Sequence, residues 1–305
     1  MKIKALHIIT LLFVLDSCSS SKVYLFSSFH EPANAGLRML YSYDACHWTD
    51  LDTVLLKPTV GKEKIMRDPS ILQGPDAVFR LVWTTEWKGG NGFGYASSKD
   101  LIHWSEEQYI PVMKNEPGVV NVWAPELFYD DERKEYIIVW ASTIPFRFEK
   151  GIEDENNNHR LYYVTTKDFS SFSETKLFFD PKFSAIDAMI VKMGTGKYAL
   201  VLKDNTRPQR NIKVAFADHA LGPYSNPSAA FTEMYTEGPT VARAKDWWII
   251  YYDAYQKKKY GAVRTKDFKT FEKADSLVSI PGLHKHGTIF MTDKKTLNRL
   301  KALKK

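Results

Sequence analysis

One pattern recurs along this 305-residue chain and constrains its fold more than any other feature. A strand-like run ends in a hydroxyl residue and an Asp, and an aromatic follows four residues after the Asp. The copies are Ser42-Tyr43-Asp44 with Trp48, Ser98-Lys99-Asp100 with Trp104, Thr166-Lys167-Asp168 with Phe172, and Thr265-Lys266-Asp267 with Phe271. A degenerate copy, Phe216-Ala217-Asp218 with Tyr224, is stretched by Gly222-Pro223. Successive Asp residues lie roughly 50–70 residues apart, a period that belongs to stacked or radial repeat architectures. Runs rich in β-branched and aromatic residues precede each copy, at 23–29, 78–85, 135–142, 197–203 and 246–252. Shorter strands with a polar opening residue begin near Asp68, Glu126, Asp187, Glu237 and His286.

These units predict an all-β fold, a five-bladed β-propeller with about four strands per blade. The first strand pair has no opening strand before it, and the opening strand at His286 has no pair after it. The C-terminal strand is therefore expected to join the N-terminal blade and close the ring. A β-sandwich would account for the strands but not for the repeat. Aromatics make up 14% of the chain, which suits strands better than a helical bundle. Most of them, Trp104, Phe172 and Phe271 included, are expected in packing between blades.

Net charge is +6 with no Lys/Arg stripe, so nucleic acid is not an expected partner. The basic residues near the end (Lys294, Lys295, Arg299, Lys301, Lys304, Lys305) read as a solvated tail over 294–305. At the other end, Met1-Lys2-Ile3-Lys4 and the apolar run from Ala5 to Leu15 read as a signal peptide over 1–17. A bilayer span needs about 20 apolar residues, so this run is too short to be one. Val14-Leu15-Asp16-Ser17-Cys18 resembles a bacterial lipobox, with Asp16 departing from the usual small residue. Lipidation of Cys18 as the mature N-terminus is the expectation, with ordinary cleavage near Ser19 as the alternative. Residues 18–22 then form a tether and 23–293 the propeller. Such a protein is exported and lipid-anchored in the periplasm or at the outer membrane, and is expected to be monomeric. Cys46 would be left without a disulfide partner.

In a propeller the first strand of each blade lines the central channel, and alternation sends every other side chain into it. Asp68, Glu126, Asp187, Glu237 and His286 thus converge on one funnel. Four carboxylates and a His are costly to desolvate together and must shift one another's pKa values. Such clusters mark functional sites.

The strings around them are Arg67-Asp68-Pro69-Ser70-Ile71, Trp123-Ala124-Pro125-Glu126-Leu127, Ile186-Asp187-Ala188, Glu237-Gly238-Pro239-Thr240 and His286-Gly287-Thr288. In that order, one per blade, they resemble glycoside hydrolase family 43, five-bladed propeller enzymes acting on arabinofuranosides, xylosides and related galactose-containing glycans. The resemblance runs from about Tyr24 to Phe290. It implies Asp68 as general base, Glu237 as general acid, and Asp187 as the residue that holds the acid and tunes its pKa. It implies inversion, in which one carboxylate activates water and one carboxylic acid protonates the leaving oxygen. Glu126 stands where many relatives carry Asp or His after Trp-Ala-Pro, and either a sugar contact or a structural strand cap is open for it. The resemblance also implies a role for His286 toward substrate or, through water, toward a Ca²⁺ in the channel. No cofactor is required.

Trp87 and Trp123 suit stacking on sugar faces, whereas Trp83 falls mid-strand and could equally belong to the core. Arg67, Lys203 and Arg207 are the basic residues expected near substrate hydroxyls. For Arg67, pairing with Asp187 or Glu126 or bracing of the strand end stay open. The polar stretch 149–159 reads as a flexible loop over the funnel rim. The expected activity is removal of terminal pentose or furanose residues from plant or microbial oligo- or polysaccharides, α-L-arabinofuranoside first. A β-xyloside or a galactofuranoside or galactan is the near rival. A retaining invertase-like propeller is disfavoured, because no Asn-Asp-Pro-Asn-Gly string occurs. A non-catalytic glycan-binding lipoprotein is the alternative from another class, against which the complete carboxylate trio stands.

Overall fold

The computed structural model describes residues 22–304. Five antiparallel sheets account for nearly all of its regular structure. Numbered by opening strand, blade 1 runs Arg67–Gln73, Phe79–Thr84, Phe93–Ser98, Gln108–Ile110. Blade 2 runs Trp123–Asp130, Glu135–Ser142, Arg160–Thr166, Lys176–Phe179. Blade 3 runs Ala185–Gly194, Lys197–Asp204, Asn211–Ala217, and blade 4 runs Glu237–Ala244, Trp247–Ala254, Lys259–Thr265, Glu272–Lys273. Blade 5 joins the two ends of the chain, with Ile289–Asp293 pairing antiparallel to Lys22–Ser28, followed by Arg38–Ser42 and Thr49–Asp50.

Period-two alternation makes each blade a wall with two apolar faces. Ile137, Val139 and Ala141 pack toward blade 3, while Ile138 and Trp140 between them pack toward blade 1. Leu81 and Trp83 meet Val23, Leu25 and Met39 of blade 5, and Val82 turns to blade 2. Five buried clusters result, one at each blade junction, the fifth lying between blades 4 and 5. Burial at all five junctions closes the ring. Trp83 is one of these core residues, fully buried.

The repeated Asp has a local cause. One carboxylate oxygen of Asp44, Asp100, Asp168 and Asp267 accepts the backbone N–H two residues on, which fixes a tight turn. The residue after each Asp (Ala45, Leu101, Phe169, Phe268) takes a left-handed conformation and is buried at the junction. The aromatic four residues after each Asp packs on a junction core: Trp48 between blades 4 and 5, Trp104 between 5 and 1, Phe172 between 1 and 2, Phe271 between 3 and 4.

Two expectations change. Blade 3 has three regular strands instead of four. Its stretched repeat lets residues 225–231 follow the edge through backbone bonds from Ser225, Ser228 and Phe231 without forming a strand. The basic tail is not simply solvated. Asp293 caps an α-helix, Lys294–Lys301, by accepting the Thr296 N–H, and Leu297 and Leu300 are buried in the junction of blades 5 and 1. Its Lys and Arg side chains face outward, so charge alone could not reveal the docked apolar stripe.

Candidate active site

The inner strands share a distortion that composition could not show. The pairing skips from Arg67↔Thr84 to Ser70↔Val82, from Trp123↔Ala141 to Glu126↔Val139, from Ile186↔Lys203 to Met189↔Val201, and from Glu237↔Asp253 to Thr240↔Tyr251. Each of these four opening strands carries one extra residue, a β-bulge, whereas the opening strand of blade 5 pairs without one. In all four, the residue just inside the bulge has positive φ: Asp68 (50°), Ala124 (47°), Asp187 (53°) and Gly238 (58°). Non-glycine residues rarely sit there, and such strain gathers where a side chain must be aimed.

The bulges sort the predicted funnel residues into three levels. Asp68 and Asp187 occupy the bulge itself, Glu237 stands one position nearer the rim, and Glu126 lies two positions deeper. A cavity of about 110 Å³ is lined by Asp68, Asp187, Glu237 and His286, with Arg67, Trp87 and Trp123 among its walls. Glu126 is not in that lining. Its carboxylate accepts from Thr288 Oγ1 at 2.9 Å, and burial holds it protonated to about 7, against the pull of the His286 charge.

His286 is the electrostatic centre. Its Nδ1 lies 3.3 Å from Asp68 Oδ1 and 4.0 Å from Asp187 Oδ1. Burial works against its charged form, but the Asp68 hydrogen bond and the Asp187, Asp68 and Glu126 charges raise its pKa to about 9. Burial likewise pushes Asp68 up. The His286 and Thr84 hydrogen bonds and the His286 and Arg67 charges outweigh it and leave Asp68 below the ordinary carboxylate value. Asp187 ends above that value, chiefly through burial, with His286 and Lys203 opposing. The ion implied for the channel would meet His286 through water, since a ring raised to about 9 between two carboxylates is poorly suited to bind it directly.

The site is wired across blades. Thr84 Oγ1 donates to Asp68 Oδ2 at 2.9 Å and accepts the Ala124 N–H at 2.8 Å. Gly238 N–H donates to Asp187 Oδ2 at 3.0 Å, which pins the residue following Glu237. Lys203, 2% exposed, donates from Nζ to Glu237 Oε2 at 2.7 Å. The sequence reading sent Lys203 to a sugar hydroxyl and placed only a like charge beside Glu237; the structure puts a buried cation there.

Arg67 pairs with neither Asp187 nor Glu126. It donates to Glu31 at 2.5 Å and lies between the faces of Phe29 and Trp87, at 4.9 and 4.7 Å from the ring centres. Trp87 and Trp123 stack on each other at 4.7 Å, and Trp123 also contacts the His159 ring at 5.0 Å. Arg207 stands outside the cavity lining, tied to Glu153 and Asp154. That tie, with buried Glu153, Asn158 and His159, anchors the stretch expected to be a free rim loop.

Sequence reading missed His159, Glu31, Asp253 and Lys285. Asp253 is buried, faces Glu237 across the sheet and accepts from Lys285 at 2.6 Å. Lys285 adjoins His286, and Asp253 pairs with Glu237 in register, so adjacency and register were the available signals.

A five-bladed ring that brings Asp68, Asp187 and Glu237, with Glu31 and Asp253, around one small cavity is an arrangement suited to glycoside hydrolysis. A family profile described as "Probable glycosyl hydrolase domain" matches residues 20–297, and the chain belongs to this family, which is related to glycoside hydrolase family 43. The chain is similar to an α-L-arabinofuranosidase of Bifidobacterium longum subsp. longum, 26% identical over 108 residues, which is 32% of this chain. Those residues span only 10% of that relative's length. Among solved structures, an endo-arabinase of Bacteroides thetaiotaomicron matches with TM-score 0.59 and 15% identity, covering 81% of this chain and 89% of that one. An α-L-arabinofuranosidase of Clostridium thermocellum matches with TM-score 0.55 and 16% identity, covering 87% and 89%. At such identities the structural likeness carries the fold alone.

Proposed function

We propose that the protein is an exo-acting, inverting α-L-arabinofuranosidase in which Asp68 is the general base, Glu237 the general acid and Asp187 the positioning carboxylate. The cavity at the three carboxylates carries this reading. Its volume of about 110 Å³ is that of roughly four waters at ~30 Å³ each, suited to one small sugar ring rather than a polymer segment. The arabinofuranosidase name of the curated relative supports the choice of sugar.

Asp68 is held ionised by His286, Arg67 and Thr84, which is the state a base needs to draw a proton from water. Glu237 stands one step toward the rim, where the leaving oxygen departs, and Lys203 fixes one of its carboxylate oxygens. Asp187 holds the backbone beside Glu237 through Gly238 N–H. Trp87 and Trp123 offer the remainder of the substrate a face at the mouth. Inversion follows when water attacks from the Asp68 side as Glu237 protonates the leaving group. Export and anchoring through Cys18 belong to the same proposal; Cys18 lies outside the described residues.

Aryl α-L-arabinofuranoside, β-D-xyloside and β-D-galactofuranoside should be compared, with the first-formed anomer read by NMR. Arabinose release with inversion is expected, falling by about 10²–10⁴ in kcat for Asp68→Asn and Glu237→Gln. Full activity in Asp68→Asn, or full activity of Glu237→Gln on an arabino-oligosaccharide whose leaving oxygen must be protonated, refutes the assigned role. Cleavage of the xyloside alone refutes the substrate. Labelled palmitate entering the wild type but not Cys18→Ala checks the anchor.

A further inference from the structure

A second polar cluster lies behind the wall of the active cavity. His30 follows the N-terminal strand, Asp50 ends the outer strand of blade 5, and His284 precedes the closing strand. One donor atom from each lies within 4.8 Å of the others. The imidazoles meet edge to face at 4.5 Å. His284 is buried with its side chain fully inaccessible, and its Nε2 reaches 3.1 Å from Asp50 Oδ2. That approach makes no hydrogen bond, and both His284 Nε2 and His30 Nε2 are buried without a hydrogen-bond partner. Two buried imidazole nitrogens without hydrogen-bond partners, gathered beside one carboxylate, are costly unless something else satisfies them.

We propose that His30, Asp50 and His284 bind one transition-metal dication of the zinc class, which clips the two ends of the chain together inside blade 5. Two imidazoles and one carboxylate suit Zn²⁺, Co²⁺ or Ni²⁺ and not Ca²⁺ or Mg²⁺, which prefer all-oxygen shells. The 3.1 Å separation is close to the edge of a tetrahedron with bonds of ~2.0–2.1 Å, so His30 is the ligand that must close in. Ser28 Oγ lies 2.7 Å from His284 Nδ1. Accepting the Nδ1 proton there leaves the Nε2 lone pair free, the usual outer-shell arrangement for a metal-bound imidazole. Burial lowers both rings, His30 to about 4, which favours the neutral, ligating form. Arg38 is a nearby positive charge that lowers both rings further. A cavity of about 410 Å³ bordered by His30 and His284 lies beside the cluster and can supply a water to complete the shell. That cavity shares Glu31, Asp253 and Lys285 with the active cavity, so the clip would also brace the segment leading into His286.

The test uses tag-free protein stripped with EDTA and then titrated with Zn²⁺ in a calorimeter and with Co²⁺ in a spectrophotometer. One equivalent should bind, with intense tetrahedral Co²⁺ bands and a melting temperature raised by several degrees. His30→Gln and Asp50→Asn should each weaken binding at least tenfold and abolish the Co²⁺ bands, and Ser28→Ala should weaken it by about 10–100-fold. His30 and Asp50 are only partly buried, so their variants should fold, which circular dichroism checks. Absence of stoichiometric binding to the wild type, or binding unchanged in both ligand variants, overturns the proposal. Neither readout depends on the substrate assignment.

Discussion

Replacing His286 with glutamine removes the one group that ties Asp68 and Asp187 together, and it should change how stability depends on pH. The folded protein raises His286 from its ordinary 6.5 to about 9. A raised histidine stabilises the fold fully below pH 6.5, and that contribution is lost as pH climbs through about 9. At ~1.36 kcal/mol per pH unit the loss is about 3 kcal/mol. At ~2 °C per kcal/mol for a domain this large the wild type should melt about 6 °C lower at pH 9.5 than at pH 6.5. Other groups act mainly below that window. Glu126, raised to about 7, makes stability fall as pH rises from its ordinary value toward 7. His30 and His159, lowered to about 4 and about 3, make stability fall as pH drops below 6.5. Melting curves every half unit from pH 6 to 9.5, for wild type and His286→Gln, separate these effects. The variant should be less stable at pH 6.5 and nearly flat above it, because the abandoned carboxylates take up their proton at lower pH. Parallel profiles for the two proteins would show that His286 is not the imidazolium at the centre of the site.

Gly238→Ala forces a Cβ to within 2.6 Å of His286 Cγ at φ 58°. It should cost about 1–2 kcal/mol from the left-handed backbone alone and lower kcat at least tenfold; unchanged kcat would refute the close packing of Gly238 on His286. Trp87→Ala should raise KM about tenfold with kcat nearly kept, since a stacking face is worth about 0.5–1.5 kcal/mol beyond its burial; a loss confined to kcat would refute the platform role. Leu297→Ala should destabilise by about 2–5 kcal/mol in urea unfolding, whereas a solvated tail would show no change.

The repeat was legible because one Asp caps each turn and one aromatic fills each junction, both local requirements of the chain. Strand number failed only in blade 3, where the stretched copy spoils the pairing geometry of the outer edge. Within the site, residue types were legible but not their depth. Register gives every second residue on one face but not how far along the strand it stands; aligned at their bulges, Glu126 lies two positions deeper than Asp68, matching Ser70 instead. Charge partners were the least legible. Lys203 and Arg207 sit four residues apart at the end of one strand, yet one is buried on Glu237 and the other is held by Glu153. Cluster members such as His30, Asp50 and His284 come together only through ring closure, so no local string could announce them.

The polarity of blade 5 has a consequence for how the enzyme meets its substrate. Opening strands start at the cavity and run away from it, and Ile289–Asp293 does the same. Lys22 pairs with Asp293 at the far end, and Phe29, just past the strand, returns to the cavity wall. Whatever precedes Lys22 therefore reaches the propeller on the face opposite the mouth. The mouth is thus left clear of the N-terminal approach, so a substrate larger than the cavity can extend outward from it unobstructed.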